Sequence, residues 1–87
     1  MLPDPGNMAN HINQVGKTFH FRVTGATAQV GSLYGTGTYT YDSNLSVAAV
    51  HSGAVKAGET RVVKVKILGP VAGFTGTTQN GFTSSSY

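Results

Sequence analysis

An 87-residue chain without a single cysteine has few routes to a stable fold. At this length one domain forms, and it buries only about 60–65% of the surface that the unfolded chain exposes, so an isolated monomer is marginally stable. Small folds usually recover the deficit with disulfides, a structural metal or association. Disulfides are excluded here. His11, His20 and His51 lack metal-ligand spacing, and Asp4, Asp42 and Glu59 are the only acids, so neither a metal nor a cofactor is expected. Good packing, or association with copies of itself, remains.

Charge is scarce, at 10% of residues, against about 25% in an average globular domain. Twelve glycines with abundant Thr and Ser supply polarity without charge. Such a surface repels copies of itself only weakly, which favours association. The net charge of +3 comes from Lys17, Arg22, Lys56, Arg61, Lys64 and Lys66 against the three acids. Only Arg61, Lys64 and Lys66 cluster, and no aromatic residue is interleaved with them for base stacking. Nucleic acid is therefore not an expected partner. No apolar run approaches the roughly 18–20 residues needed to cross a bilayer. Residues 1–17 have neither a basic start nor a hydrophobic stretch, and do not read as a signal peptide.

Hydrophobic periodicity divides the chain into an irregular arm, residues 1–16, and one ordered domain, residues 17–87. The arm carries two prolines, two glycines and three asparagines. In Thr18–Thr24, Phe19, Phe21 and Val23 alternate with polar residues, the pattern of a half-buried strand. The stretch from Gln29 to Tyr41 has strand propensity over Thr36–Tyr41, with Tyr39 and Tyr41 expected on one face and glycines marking bends. Asp42–Ser43 offers helix-capping chemistry, and Leu45–Ser52 then runs without Gly or Pro to Gly53. This segment predicts about two turns of helix, apolar on nearly every side and therefore buried. Residues 56–59 predict a turn. Thr60–Leu68 is the strongest strand, with Val63, Val65 and Ile67 on one face and Val62, Lys64, Lys66 and Leu68 on the other. Asn80–Gly81 signals a hairpin turn between short, irregular strands around Phe74 and Phe82. The fold class is α+β, mainly β, with irregular strands around one short central helix.

Catalytic constellations do not assemble. Ser43, His51 and Asp42 form a triad only on paper, because Asp42 and Ser43 are adjacent at a helix start where capping explains them. His51 reads as a buried histidine tying helix to sheet. Asp4 lies in the arm and Glu59 in a turn, which excludes a glycosidase carboxylate pair. Gly35-x-Gly37 lacks the context of a phosphate loop. Tyr34, Tyr39 and Tyr41 are candidates for sugar stacking or a protein interface, set against ordinary cross-strand packing. Arg61, Lys64 and Lys66 are candidates for an anionic glycan or lipid headgroup, set against a solvated edge that deters aggregation.

The run Gly35-Thr36-Gly37-Thr38-Tyr39-Thr40-Tyr41-Asp42-Ser43, followed by Ala48-Ala49-Val50-His51-Ser52-Gly53, resembles the signature of LCCL domains. A valine-rich strand and then Phe74-Thr75-Gly76-Thr77 and Asn80-Gly81-Phe82-Thr83-Ser84 extend the resemblance over residues 17–87. It implies a central helix wrapped by irregular strands and an extracellular module without enzymatic activity. It also implies an association with polysaccharide or lipopolysaccharide. The chain departs from the family pattern at Ser46, which stands at the usual helix cysteine, and at Tyr34, where Trp is common. It also stops at Tyr87, where the family pattern usually continues. That last departure predicts an unpaired sheet edge, which residues 1–16 of a neighbouring copy could cover. Two functions follow as expectations. The first is a structural protein associating with copies of itself into an extracellular or cell-surface assembly such as a filament, and the second is a polysaccharide- or lipopolysaccharide-binding module.

Overall fold

The two segments with strict alternation pair with each other and form the centre of the fold. A computed structural model describes residues 2–87. Its strands are β1 (Leu2–Pro3), β2 (Thr18–Thr24), β3 (Gly35–Thr36), β4 (Thr38–Tyr39), β5 (Thr60–Lys66), β6 (Thr78–Gln79) and β7 (Phe82–Thr83). One helix, α1 (Leu45–His51), and a 3-10 turn at Ala9–His11 complete the regular structure. β2 and β5 run antiparallel with Phe21 opposite Val63 and Phe19 opposite Val65, so the apolar sets of both strands share one face. β1 pairs in parallel with the other side of β2, giving the order β1-β2-β5.

The helix lies on that apolar face. Leu45, Val47, Ala48, Ala49, Val50 and His51 are all buried, and Val47 and Val50 join Phe21, Val23 and Val63 in one core. Each such side chain withdrawn from water contributes about 1.5–3 kcal/mol. The molecule measures 30 × 30 × 17 Å, the thickness of one helix on one sheet. The helix is capped by Asn44, whose Oδ1 accepts the Val47 amide at 3.2 Å, rather than by the expected Asp42–Ser43 pair. Those two fasten the preceding turn instead. Asp42 Oδ1 accepts from the Thr40 hydroxyl at 2.6 Å, and Ser43 Oγ accepts the Tyr34 amide at 3.0 Å. At the other end Gly53 donates to the Val50 carbonyl and Ala54 to that of Ala49, a Schellman closure.

Elsewhere the strands are short. The expected strand over Thr36–Tyr41 is a two-residue hairpin, β3–β4, turning at Gly37. The chain leaves it after Tyr39 and bends, with Ser43 donating to the Thr40 carbonyl at 3.1 Å. Tyr39 therefore faces inward and Tyr41 outward, and the two do not share a face. β5 ends at Lys66 rather than Leu68, because the Ile67 carbonyl is taken by the Gly16 amide, one residue out of the regular ladder. Asn80 and Gly81 both take positive φ, 51° and 84°, in the tight turn joining β6 to β7. Phe82 of β7 is buried, whereas Phe74 lies outside any strand and exchanges two backbone hydrogen bonds with Tyr87.

The segment preceding β2 is irregular but fastened. Met8 belongs to the core and donates its amide to the Tyr41 carbonyl at 2.8 Å, and Leu45 donates to the Gly6 carbonyl at 2.8 Å. Leu2 and Pro3 pair with this chain's own β2. Met1, the first residue of the expected arm, lies outside the described residues.

Gly35 is the tightest point of the hairpin. Its φ is +101°, and a side chain there would run into the Thr38 carbonyl oxygen and the Phe74 ring. Gly37, at φ +73°, faces open space. We predict that Gly35→Ala costs about 3 kcal/mol or more through strain and overpacking together, and that Gly37→Ala costs about 1–2 kcal/mol. Urea denaturation of the two variants checks the ranking, and equal losses would contradict it.

Candidate functional site

A buried histidine organises the middle of the molecule. The last turn of α1 places His51 in the core with no exposed surface. Its Nε2 lies 2.9 Å from the Thr77 carbonyl, which can only accept, so Nε2 carries the proton. Nδ1 is then the acceptor, and the Tyr39 hydroxyl donates to it at 2.7 Å. Asn80 Nδ2 donates to the His51 carbonyl at 3.0 Å. One ring thus ties β4, α1 and the segment leading into β6. This is the structural role that apolar neighbours suggested for His51.

Tyr39 also forms part of the wall of a groove of about 650 Å³. On one side run consecutive residues from Val63 to Leu68. Consecutive residues of a strand point alternately up and down, so a groove lined by all of them follows the strand's edge rather than its face. The opposite wall is the Thr38–Ser43 turn with Ala48 and Ala49 of the helix and Ser52 just past its end, and Phe74 and Tyr87 also line the groove. Among the described residues nine large apolar or aromatic side chains are exposed. Six of them, Ile12, Val15, Tyr41, Leu68, Val71 and Tyr87, line this one groove. Clustered exposed apolar surface of this kind marks an interaction site, whereas singly scattered residues do not.

The six candidates from the sequence separate. Tyr39, Tyr41, Lys64 and Lys66 line the groove. Tyr34 does not: it bridges to Ser85 and packs edge-on against Tyr87, with ring centroids 5.5 Å apart. Arg61 is turned to Glu59, with Nε 3.1 Å from the carboxylate, away from the two lysines. The register of β2 on β5 brings Arg22 and the imidazole of His20 onto the same face as Lys64 and Lys66. His20 lies opposite Lys64, Thr18 opposite Lys66 and Arg22 opposite Val62, all exposed on the outer face of the sheet. The alternation of Thr18–Thr24 already put His20 and Arg22 on the polar face. Their meeting with the lysines needed the strand register. The groove residues Ile12, Val15, Val71 and Tyr87 carried no sequence signal beyond hydrophobicity.

The LCCL domain family model matches residues 5–87, essentially the whole chain. The chain belongs to the LCCL domain family. Comparison with curated proteins and with solved structures found no match in either. LCCL domains are non-catalytic interaction modules and are typically extracellular. No helix among the described residues is long and apolar enough to cross a membrane. In this LCCL domain the stretch Gly35–Ser43 and the helix segment Ala48–Gly53 meet through Tyr39 and His51. The Tyr39–His51 contact therefore holds one wall of the groove. The match also takes in Met8, in keeping with that side chain's place in the core.

Burial pushes the Tyr39 phenol above its ordinary value of 10.0. The folded protein therefore holds this proton more tightly than the unfolded chain does. The associated stability is fully present below about pH 10, the unfolded value, and is lost as pH rises through the folded one. We predict that Tyr39→Phe costs about 1–3 kcal/mol at neutral pH, because His51 Nδ1 loses its donor. The variant should also lose stability less steeply above pH 10 than the parent. Urea midpoints across pH 8–11.5 test this, and parallel curves would contradict it.

Proposed function

We propose that this LCCL domain is an extracellular interaction module that associates with copies of itself, burying the apolar groove beside β5. The observation that carries this reading is the gathering of six exposed apolar side chains into that groove. Three further facts support it. The chain is small and free of disulfides, so burial between copies adds stability that the monomer lacks. Its charge content of 10% offers little mutual repulsion. The groove rim carries Val and Leu side chains, which suit a protein surface better than a sugar. Exchange of the arm between copies has less to recommend it, since Leu2 and Pro3 lie on the chain's own β2 and Met8 fills its own core. Filaments and closed oligomers are both open to such a module, and the rotation between copies decides between them.

We predict that sedimentation equilibrium gives a mass rising above 9.0 kDa with concentration. Leu68→Asp and Val71→Asp should hold the protein at monomer mass without changing its thermal midpoint by more than a few degrees. A monomer at every concentration would sink this reading.

A second reading rests on a different observation, the outer face where His20, Arg22, Lys64 and Lys66 stand side by side. That surface suits an anionic polysaccharide or the phosphorylated core of lipopolysaccharide. On this reading Lys64→Gln and Lys66→Gln each weaken binding about two- to fivefold, the worth of an exposed charge pair, and added salt weakens it further. Glycan binding indifferent to both changes would remove it.

A further inference from the structure

β5 is an edge strand, because the sheet runs β1-β2-β5 and nothing among the described residues follows β5. Which of its main-chain groups are free follows from the ladder. Glu59 accepts the Gly25 amide and Ile67 donates to Lys17, so odd-numbered residues turn their amides and carbonyls toward β2. The even-numbered ones, Thr60, Val62, Lys64 and Lys66, turn theirs outward. Among the described residues none of these outward groups meets a hydrogen-bonding partner. The groove lies along residues 63–68 only, so Thr60–Val62 is the stretch of edge without a wall. Val62 within it is 52% exposed and lies outside the groove.

We propose that two copies pair through this edge, β5 against β5 in antiparallel fashion, about a twofold axis passing beside Val62. The inference rests on the self-association reading and names its geometry. The charges select the register. An axis at Lys64 sets Lys64 against its own copy, one at Val65 sets Lys64 against Lys66 of the second copy, and one at Arg61 sets arginine against arginine. Like charges directly opposite on neighbouring strands are destabilising. An axis at Val63 leaves the two Lys64 residues on adjacent diagonals, whereas the diagonal pair at a Val62 axis is Arg61 with Arg61, each already held by its own Glu59 carboxylate. Centring on Val62 places valine against valine and Lys64 against Thr60 of the second copy, with no cation facing another. The same register carries the second copy's turn, residues 56–59, past Lys66 and over the mouth of the groove. The result is a six-stranded sheet in a closed dimer.

The absence of cysteine makes the test direct. Residues opposite each other in such a pair have Cα atoms about 5.5 Å apart, within the roughly 4.4–6.8 Å that a disulfide spans. Val62→Cys should therefore cross-link to a dimer under mild oxidation in solution. Thr60→Cys should not link to itself, since its Cα atoms would lie more than about 10 Å apart along the strands. A mixture of Thr60→Cys with Lys64→Cys should form the mixed dimer. Val62→Pro removes one outward amide at an edge position where proline is tolerated, so it should keep the monomer fold by circular dichroism and weaken association at least about tenfold. A protein that never associates overturns the self-association reading, and this inference with it. Association that persists in Val62→Pro, with cross-linking no faster at Val62 than at Thr60, overturns the edge pairing alone.

Discussion

The arrangement depends on an imidazole sealed from water with both ring nitrogens hydrogen-bonded. A seven-residue helix is far too short to persist by its own hydrogen bonds, and β3, β4, β6 and β7 are two residues each. Such pieces stay folded only where something holds them to one another. His51 supplies that hold, accepting a hydrogen bond from the Tyr39 hydroxyl, donating one to the Thr77 carbonyl, and accepting Asn80 on its own carbonyl. Each bond is worth about 1 kcal/mol net. The greater cost lies in leaving any of these groups unpaired in a dry interior, which makes the set cooperative. Where many small domains join distant segments by disulfides, this chain, which has no cysteine, joins them through one side chain.

The scaffold and the groove are consequently not separable. Tyr39 has its hydroxyl on His51 and also lines the groove. The turn that follows is held by Thr40, Asp42 and Ser43 hydrogen-bonding among themselves and to Tyr34. Hydroxyl-rich turns of this kind hold their shape without apolar burial, which leaves Tyr41 free to project. The backbone closeness at Gly35 works in the same direction, because only a residue without a side chain lets the Thr38 carbonyl come so near. Polar chemistry on one side of the wall therefore fixes a largely apolar surface on the other.

How much of this was legible depends on whether a feature is local. The alternation in Thr18–Thr24 and in TRVVKVKIL is a local pattern, and both strands form there, the second ending at Lys66 instead of Leu68. The unbroken apolar stretch after Asn44, ending at Gly53, gave the helix to within a residue. The cap was misassigned because Asp42, Ser43 and Asn44 are all good caps. What chose Asn44 was the pull of Tyr34 and Thr40 on its neighbours, a tertiary matter. Register is equally non-local. The cluster Arg61, Lys64 and Lys66 is contiguous in the chain but divided in space, while His20 and Arg22, some forty residues earlier, belong with the lysines. The groove is assembled from the arm, the hairpin, the helix, β5 and the tail, so no single stretch could announce it.

The two lysines of β5 then take on a meaning that composition alone did not supply. Exposed edges are usually protected by charge, and lysine is the common choice. Here the protection covers only half the strand, since Lys64 and Lys66 lie toward its end while Thr60 and Val62 at its start are uncharged. An edge wholly charged would exclude every partner, and an edge wholly neutral would accept any strand in any register. A half-charged edge rejects most registers and leaves few to choose from, which separates a defined pair from open-ended aggregation. On the proposed pairing, the placement of these two residues is the main control over which register two copies adopt.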